Sequence, residues 1–169
     1  MSDKSNAMTF AGDLWQRAFK SVRAEYPDVE SRHLYIDTLA MELVRDPRQF
    51  DVIVTNNLFG DIVSDLAAEL AGGLGLAPSG NIHPGRTSLF EPVHGSAPNI
   101  AGKGIANPFG SVLAAGMMLD FLGWGEESAV LKKSVKAALR DEVTTPDLHG
   151  TKNTAEVADW LLRHISKHT

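Results

Sequence analysis

Apolar residues recur along this chain with a helical period, and the breaks between the runs mark the elements. In residues 9–25, Phe10, Leu14, Ala18 and Val22 form a stripe with Trp15 and Phe19 beside it, stopped by Tyr26-Pro27-Asp28; this predicts a helix. Residues 32–37 read as a strand with His33, Tyr35 and Asp37 on one face, and 38–47 as a short helix carrying Leu39, Leu43 and Val44, ended before Pro47. Residues 51–55, β-branched and apolar between polar neighbours, predict a buried strand. Leu58, Ile62, Leu66 and Leu70 then repeat every four residues, giving a helix over 58–71, capped from Asn56 or Asn57 and ended at Gly72-Gly73. Residues 77–85 read as loop by composition, and 87–90 as a strand broken at Pro92. A long loop leads to Pro108, which opens an almost wholly apolar helix to about residue 122, with Met117 and Met118 in the core. A helix over 127–142 turns Val130, Leu131, Val135, Ala138 and Leu139 inward, and Thr154 caps an amphipathic last helix over 155–167.

Composition narrows the partners. A net charge of −5 and no basic cluster argue against nucleic-acid binding. The chain has no cysteine, so disulfides and thiolate metal sites are excluded. No apolar run is long enough to span a membrane, and the first residues carry no secretory pattern, so a cytoplasmic protein is expected. The predicted helix over 58–71 holds a candidate site. Asp61 and Asp65 leave one face a turn apart, and two like charges at that spacing cost about 0.2–0.5 kcal/mol on a bare helix. A divalent cation reverses that sign, and hard oxygen ligands suit Mg²⁺ or Mn²⁺. A solvated acidic face is the alternative. No GxGxxG follows a strand, and no P-loop is present.

Two long segments carry a resemblance. The run FDVIVTNNLFGDIVSDLAAELAGGLGLAPS (50–79) and the run FEPVHGSAPNIAGKGIANP (90–108) together resemble signatures of the β-decarboxylating dehydrogenases of isocitrate, 3-isopropylmalate and tartrate or malate. Nearly the whole chain lies along the C-terminal half of that family. The expected fold is therefore α/β, the C-terminal half of the isocitrate/isopropylmalate dehydrogenase fold truncated at the N-terminus. Residues 1–72 would form part of a dimerisation and metal-site domain, and 73–169 part of a cofactor-binding domain. The resemblance implies that a strand preceding the first helix is cut off or reduced to a stub.

The resemblance also assigns roles. Lys4 matches the catalytic lysine, and Asn6 an asparagine near the nicotinamide. Asp37, Asp61 and Asp65 match the metal carboxylates, Asp37 and Lys4 reaching the site from the partner subunit of a dimer. By itself, Asp37 at a strand–helix junction also reads as an N-cap. Glu91, His94, Gly95, Ser96, Ala97, Asn99, Ile100 and Asn107 match positions lining the adenosine portion of NAD(P), with His94 against the adenine. NAD-preferring members have aspartate at Asn99, where a carboxylate repels a 2′-phosphate. Asparagine keeps an acceptor without that repulsion, so NAD is expected, with NADP not excluded. The family commonly has glycine where this chain has His149. His33 receives no role, and Asp147, His149 and Lys152 form no metal-like set.

The implied reaction is NAD- and metal-dependent oxidative decarboxylation of a small 2-hydroxy dicarboxylic acid, by a homodimer with shared sites. The family's arginine clamp, its tyrosine acid and its substrate-selecting helix match nothing in this chain, so the particular hydroxy acid is not encoded here. A missing N-terminal half, on the same or another chain, is one expectation. A truncated, inactive fragment that only dimerises or binds metal or nucleotide is the other.

Overall fold

The computed structural model describes residues 1–168 and divides the chain into two compact units, Met1–Leu70 and the remainder from Ala71. No helix among the described residues is long and apolar enough to cross a membrane.

The first unit is built on a parallel pair. β1 (Ser2–Asp3) and β2 (Leu34–Tyr35) align Ser2 with Leu34 and Asp3 with Tyr35, joined by α1 (Thr9–Ala24). A helix in the connection is what parallel strands require. α2 (Ile36–Arg45) follows β2 directly, and α3 (Asn57–Leu70) packs on α2. Leu39, Leu43 and Val63 form the core, with Leu34, Ile36 and Phe50 packed against it. The Asn56 side chain accepts from Phe59 N–H at 3.1 Å, one of the two cap positions expected for α3.

Several expectations change here. The predicted strand over 51–55 is extended chain outside any ladder: Ser2 N–H donates to Val54 O at 2.9 Å, and Val52 is 86% exposed. A single bond makes no ladder, so the β-branched pattern is present without the neighbours it needs. The strand expected over 32–37 shrinks to β2, because the helical pattern of α2 starts at Ile36. Asp37 accordingly lies in the first turn of α2, with Tyr35 at the cap position. The stripe on α1 points outward, Phe10 being 94% exposed, while Gly12 is buried and Trp15, Gln16 and Phe19 are half-buried. Leu58, Ile62 and Leu70 of α3 are also exposed, while Val63 and Ala68 are buried.

In the second unit, β3 (Pro78–Asn81) pairs antiparallel with β4 (Leu89–Pro92), in a register from Pro78 opposite Pro92 to Asn81 opposite Leu89. β3 replaces the predicted loop: its Pro, Ser, Gly and Asn composition hides an edge strand that tolerates proline at its first position. β4 starts two residues later than the strand expected over 87–90 and runs on to Pro92, where it ends. α4 (Phe109–Phe121) packs on this ribbon and on α5 (Gly125–Arg140), which packs on α6 (Thr154–Ile165). Phe109, Val135, Ala138, Val157 and Leu161 form the core. α4 is less buried than its composition implies; Met118 and Phe121 are exposed, as is Leu139 of α5. Asn153, not Thr154, caps α6: its side chain accepts from Glu156 N–H at 2.9 Å while Glu156 accepts from Asn153 N–H at 2.8 Å. Thr154 instead donates its hydroxyl to Ala106 O at 2.6 Å.

Candidate functional site

In the first unit the chemistry starts at the end of β1. Asp3 is 1% exposed, so its carboxylate needs partners. Its Oδ1 accepts from Ser5 N–H at 3.1 Å and from His33 Nε2 at 2.9 Å, and its Oδ2 accepts from Gln16 Nε2 at 3.2 Å. Burial alone would push the Asp3 carboxyl up, and the donors from His33, Ser5 and Gln16 overcome it and hold it below the usual carboxylate range. Gln16 Nε2 also donates to Ser5 Oγ at 2.6 Å. The chain then turns sharply, with Ala7 and Met8 N–H both donating to Lys4 O at 2.9 and 2.8 Å. Gly12 lets α1 approach this turn: a Cβ there would lie 2.4 Å from Ser5 Cβ and 2.5 Å from Ser5 Cα.

The turn presents Lys4. Its Nζ meets Asp37 Oδ1 at 2.8 Å, at the start of α2, and this hydrogen bond holds the Asp37 carboxyl below the usual range. Asp61 and Asp65 are exposed on α3. Lys4 and Asp37 therefore form one pair and Asp61 with Asp65 another. Among the described residues of one chain, no three His, Cys, Asp or Glu side chains gather into a metal-holding group. Asn6 is exposed in the turn after Lys4.

In the second unit, Glu91 sits in β4, and His94, Gly95, Ser96, Ala97, Asn99 and Ile100 follow in the loop toward Asn107. His94 Nδ1 is 3.0 Å from Gly95 O, a carbonyl that can only accept, so Nδ1 is the donor in this contact. Ala97 takes φ 44°, and Ile100 N–H closes on Ala97 O at 3.0 Å. Open space surrounds the position of an added Cβ at Gly95, Gly102 and Gly104. Asn99 and Ser96 are exposed.

The far end of this loop is fastened. Asn107 is 8% exposed; its Oδ1 accepts from Phe109 N–H at 2.9 Å and its Nδ2 donates to Asp147 Oδ2 at 2.9 Å. That side chain is committed to the fold. Thr154 adds two bonds, N–H to Gly104 O at 2.8 Å and the hydroxyl to Ala106 O. Asp147, which joins no metal-like set, is thus an anchor. Asp3, His33 and Gln16 carry no local sequence signal, because the bonds of Gln16 and His33 to Asp3 join residues 13 and 30 positions apart, and the contact of Gly12 with Ser5 follows no helical or strand spacing.

The profile of the isocitrate/isopropylmalate dehydrogenase family matches residues 1–161. The chain belongs to this family. Among its relatives, the 3-isopropylmalate dehydrogenase of Thermobifida fusca is 45% identical over 97% of this chain and 46% of its own length. The homoisocitrate dehydrogenase of Methanocaldococcus jannaschii is 46% identical over 97% of this chain and 47% of its own. The crystal structure of isocitrate dehydrogenase from Methylococcus capsulatus superposes with a TM-score of 0.92 at 40% identity, covering 97% of this chain and 50% of that one. A β-decarboxylating dehydrogenase from Thermococcus kodakarensis, solved in its apo form, gives a TM-score of 0.82 at 42% identity, over 98% of this chain and 48% of its own. The isocitrate/isopropylmalate dehydrogenase fold expected from sequence is therefore the one observed, and the chain spans about half the length of the relatives it matches.

Proposed function

We propose that this chain forms part of an NAD-dependent, divalent-metal-dependent enzyme that oxidatively decarboxylates a small 2-hydroxy dicarboxylic acid of the 3-isopropylmalate, malate or tartrate type. The observation that carries the reading is the Lys4–Asp37 pair, which sets an amine beside a carboxylate in a family of dehydrogenases. Residues 1–72 take the dimerisation and metal-site role, and 73–169 the cofactor-binding role.

The residues present fit both groups. Asp61 and Asp65 supply two hard oxygen donors on one exposed face of α3, and Asp37 of a second copy completes three carboxylates for Mg²⁺ or Mn²⁺ in a homodimer. Glu91, His94, Gly95, Ser96, Ala97, Asn99, Ile100 and Asn107 form a glycine-bearing loop, open at Gly95 and anchored at Asn107, that suits the adenosine end of NAD. When bound, the cation supplies positive charge against the charge developing on the substrate oxygens, and the nicotinamide accepts hydride. This chain's own part is narrower. Lys4 Nζ, directed by Asp37, exchanges a proton with the substrate hydroxyl oxygen. His94 presents Nε2 toward the adenine, and the loop keeps water from the cofactor's edge. Asn99 offers an acceptor to the ribose without a full charge, which favours NAD with relaxed discrimination against NADP.

The test is NADH production by the full polypeptide, as its source expresses it, from isopropylmalate, malate, tartrate and isocitrate with Mn²⁺. No turnover of any of them would sink the reading. A kcat/KM ratio strongly favouring NAD over NADP would sink only the relaxed discrimination. The 169 residues alone are expected to show no significant activity. The alternative reading is a dimerising or metal- or nucleotide-binding module without catalysis. A higher Tm with Mn²⁺ and NAD, without turnover, would support that one.

A further inference from the structure

The most constrained polar cluster in the first unit is not among the residues assigned a chemical role above. Asp3 is almost wholly buried, yet it is ionised by preference and satisfied by three donors from three places: Ser5 beyond the lysine, Gln16 of α1, and His33 just before β2. A buried carboxylate with no structural task would be costly. Its partners bracket Lys4 on both sides. Asp3 precedes the lysine, Ser5 follows it, and His33 ties the same carboxylate to the strand that leads into Asp37. We propose that Asp3 and His33 are positioning residues: His33 anchors Asp3, Asp3 holds the turn, and the turn delivers Lys4 Nζ to Asp37 and so to the substrate hydroxyl.

The geometry makes the coupling direct. Lys4 is the only residue between two that share a hydrogen bond, Ser5 N–H to Asp3 Oδ1, so its backbone has little freedom left. Gln16 clamps both neighbours with one amide, through Asp3 Oδ2 and Ser5 Oγ. His33 donates through Nε2, while its ring meets Tyr35 edge-on at 4.9 Å. Removing the imidazole takes a charge-assisted bond from a buried acceptor, whereas a glutamine side chain restores the donor and not the ring contact. His33 lies partly open to solvent, so its truncation leaves no sealed cavity.

The role of Lys4 rests on the dehydrogenase reading; its placement does not. The experiment is competitive acetylation of the full polypeptide at a single pH, with Lys4 read against the exposed Lys20 by mass spectrometry. His33→Ala and, separately, Gln16→Leu are expected to raise the Lys4:Lys20 ratio about tenfold, the scale of one lost charge-assisted hydrogen bond. His33→Gln is expected to return it to within about twofold of the parent. In turnover, His33→Ala lowers kcat and leaves KM for NAD unchanged, because the adenosine loop is untouched. An unchanged ratio in both His33→Ala and Gln16→Leu overturns the proposal, as does failure of glutamine to rescue, which would make His33 mere packing. If no hydroxy acid is turned over, the dehydrogenase reading fails while the acetylation ratio still decides where Lys4 is held.

Discussion

Gly12 offers a sharp test of how the Lys4 turn is built. Glycine inside a helix normally costs about 1 kcal/mol relative to alanine, so Gly12→Ala should help α1 by propensity alone. The structure reverses that sign. An added Cβ would lie 2.4 Å from Ser5 Cβ and 2.5 Å from Ser5 Cα, far inside contact distance, and one of those atoms is backbone. Overpacking of this kind costs about 1–3 kcal/mol, and here the strained segment is fixed by Asp3 and Gln16, which puts the cost at the upper end. The net expectation is a loss of about 1–2 kcal/mol. Gly60 of α3 is the control, since its added Cβ would meet only Thr55 Cγ2, at an ordinary 3.5 Å. Gly60→Ala should be neutral or stabilising by up to about 1 kcal/mol. Urea unfolding of both variants of the full polypeptide, at equal slope m, measures the two values. A Gly12→Ala variant as stable as the parent, or more so, would refute the claim that α1 presses on the turn.

Two more expectations are independent of that one. His149 takes φ 59°, a left-handed conformation that costs about 1–2 kcal/mol for a side chain of this kind, partly relieved for His. His149→Gly should therefore gain about 0.5 kcal/mol after glycine's larger unfolded-state entropy, and a loss above 1 kcal/mol in urea unfolding would contradict it. Asp3 has its folded-state carboxyl depressed below the ordinary 3.8, so its contribution is present above that pH and disappears as pH falls through the lower folded value. Acid titration of stability should show this loss below about pH 4 in the parent and a shallower slope in Asp3→Asn; parallel slopes would exclude Asp3 as a source.

Much of the architecture is legible in the sequence because helical periodicity is a local property. α3 at Asn57–Leu70 differs by one residue at each end from the expected 58–71, and the Gly72-Gly73 stop has positive φ at both residues. What periodicity does not carry is direction. It identified the Phe10–Val22 stripe but not that the stripe faces outward, since Gly12 and its neighbours decide which side of α1 meets the turn. Strands suffer more, because a strand exists only through its neighbours: residues 51–55 have the composition without the ladder, and Pro78–Asn81 the ladder without the composition. For the proposed site, Lys4 and the aspartates rest on the resemblance alone, whereas the bonds of His33 to Asp3 and of Asn107 to Asp147 join residues 30 and 40 positions apart and leave no local pattern.

The pairing of Lys4 with Asp37 inside one chain, apart from Asp61 and Asp65, has a genetic consequence under the shared-site reading. Each site would join one copy's Lys4 and Asp37 to the other copy's Asp61 and Asp65. Chains disabled at Lys4 and chains disabled at Asp61 would each be dead as homodimers. Mixed and allowed to reassort, half of the dimers would be hybrids, and each hybrid would hold one site with both defects and one with neither. Two inactive alleles would thus complement each other to about a quarter of the parental activity, and two alleles defective at Lys4 and Asp37 would not complement at all.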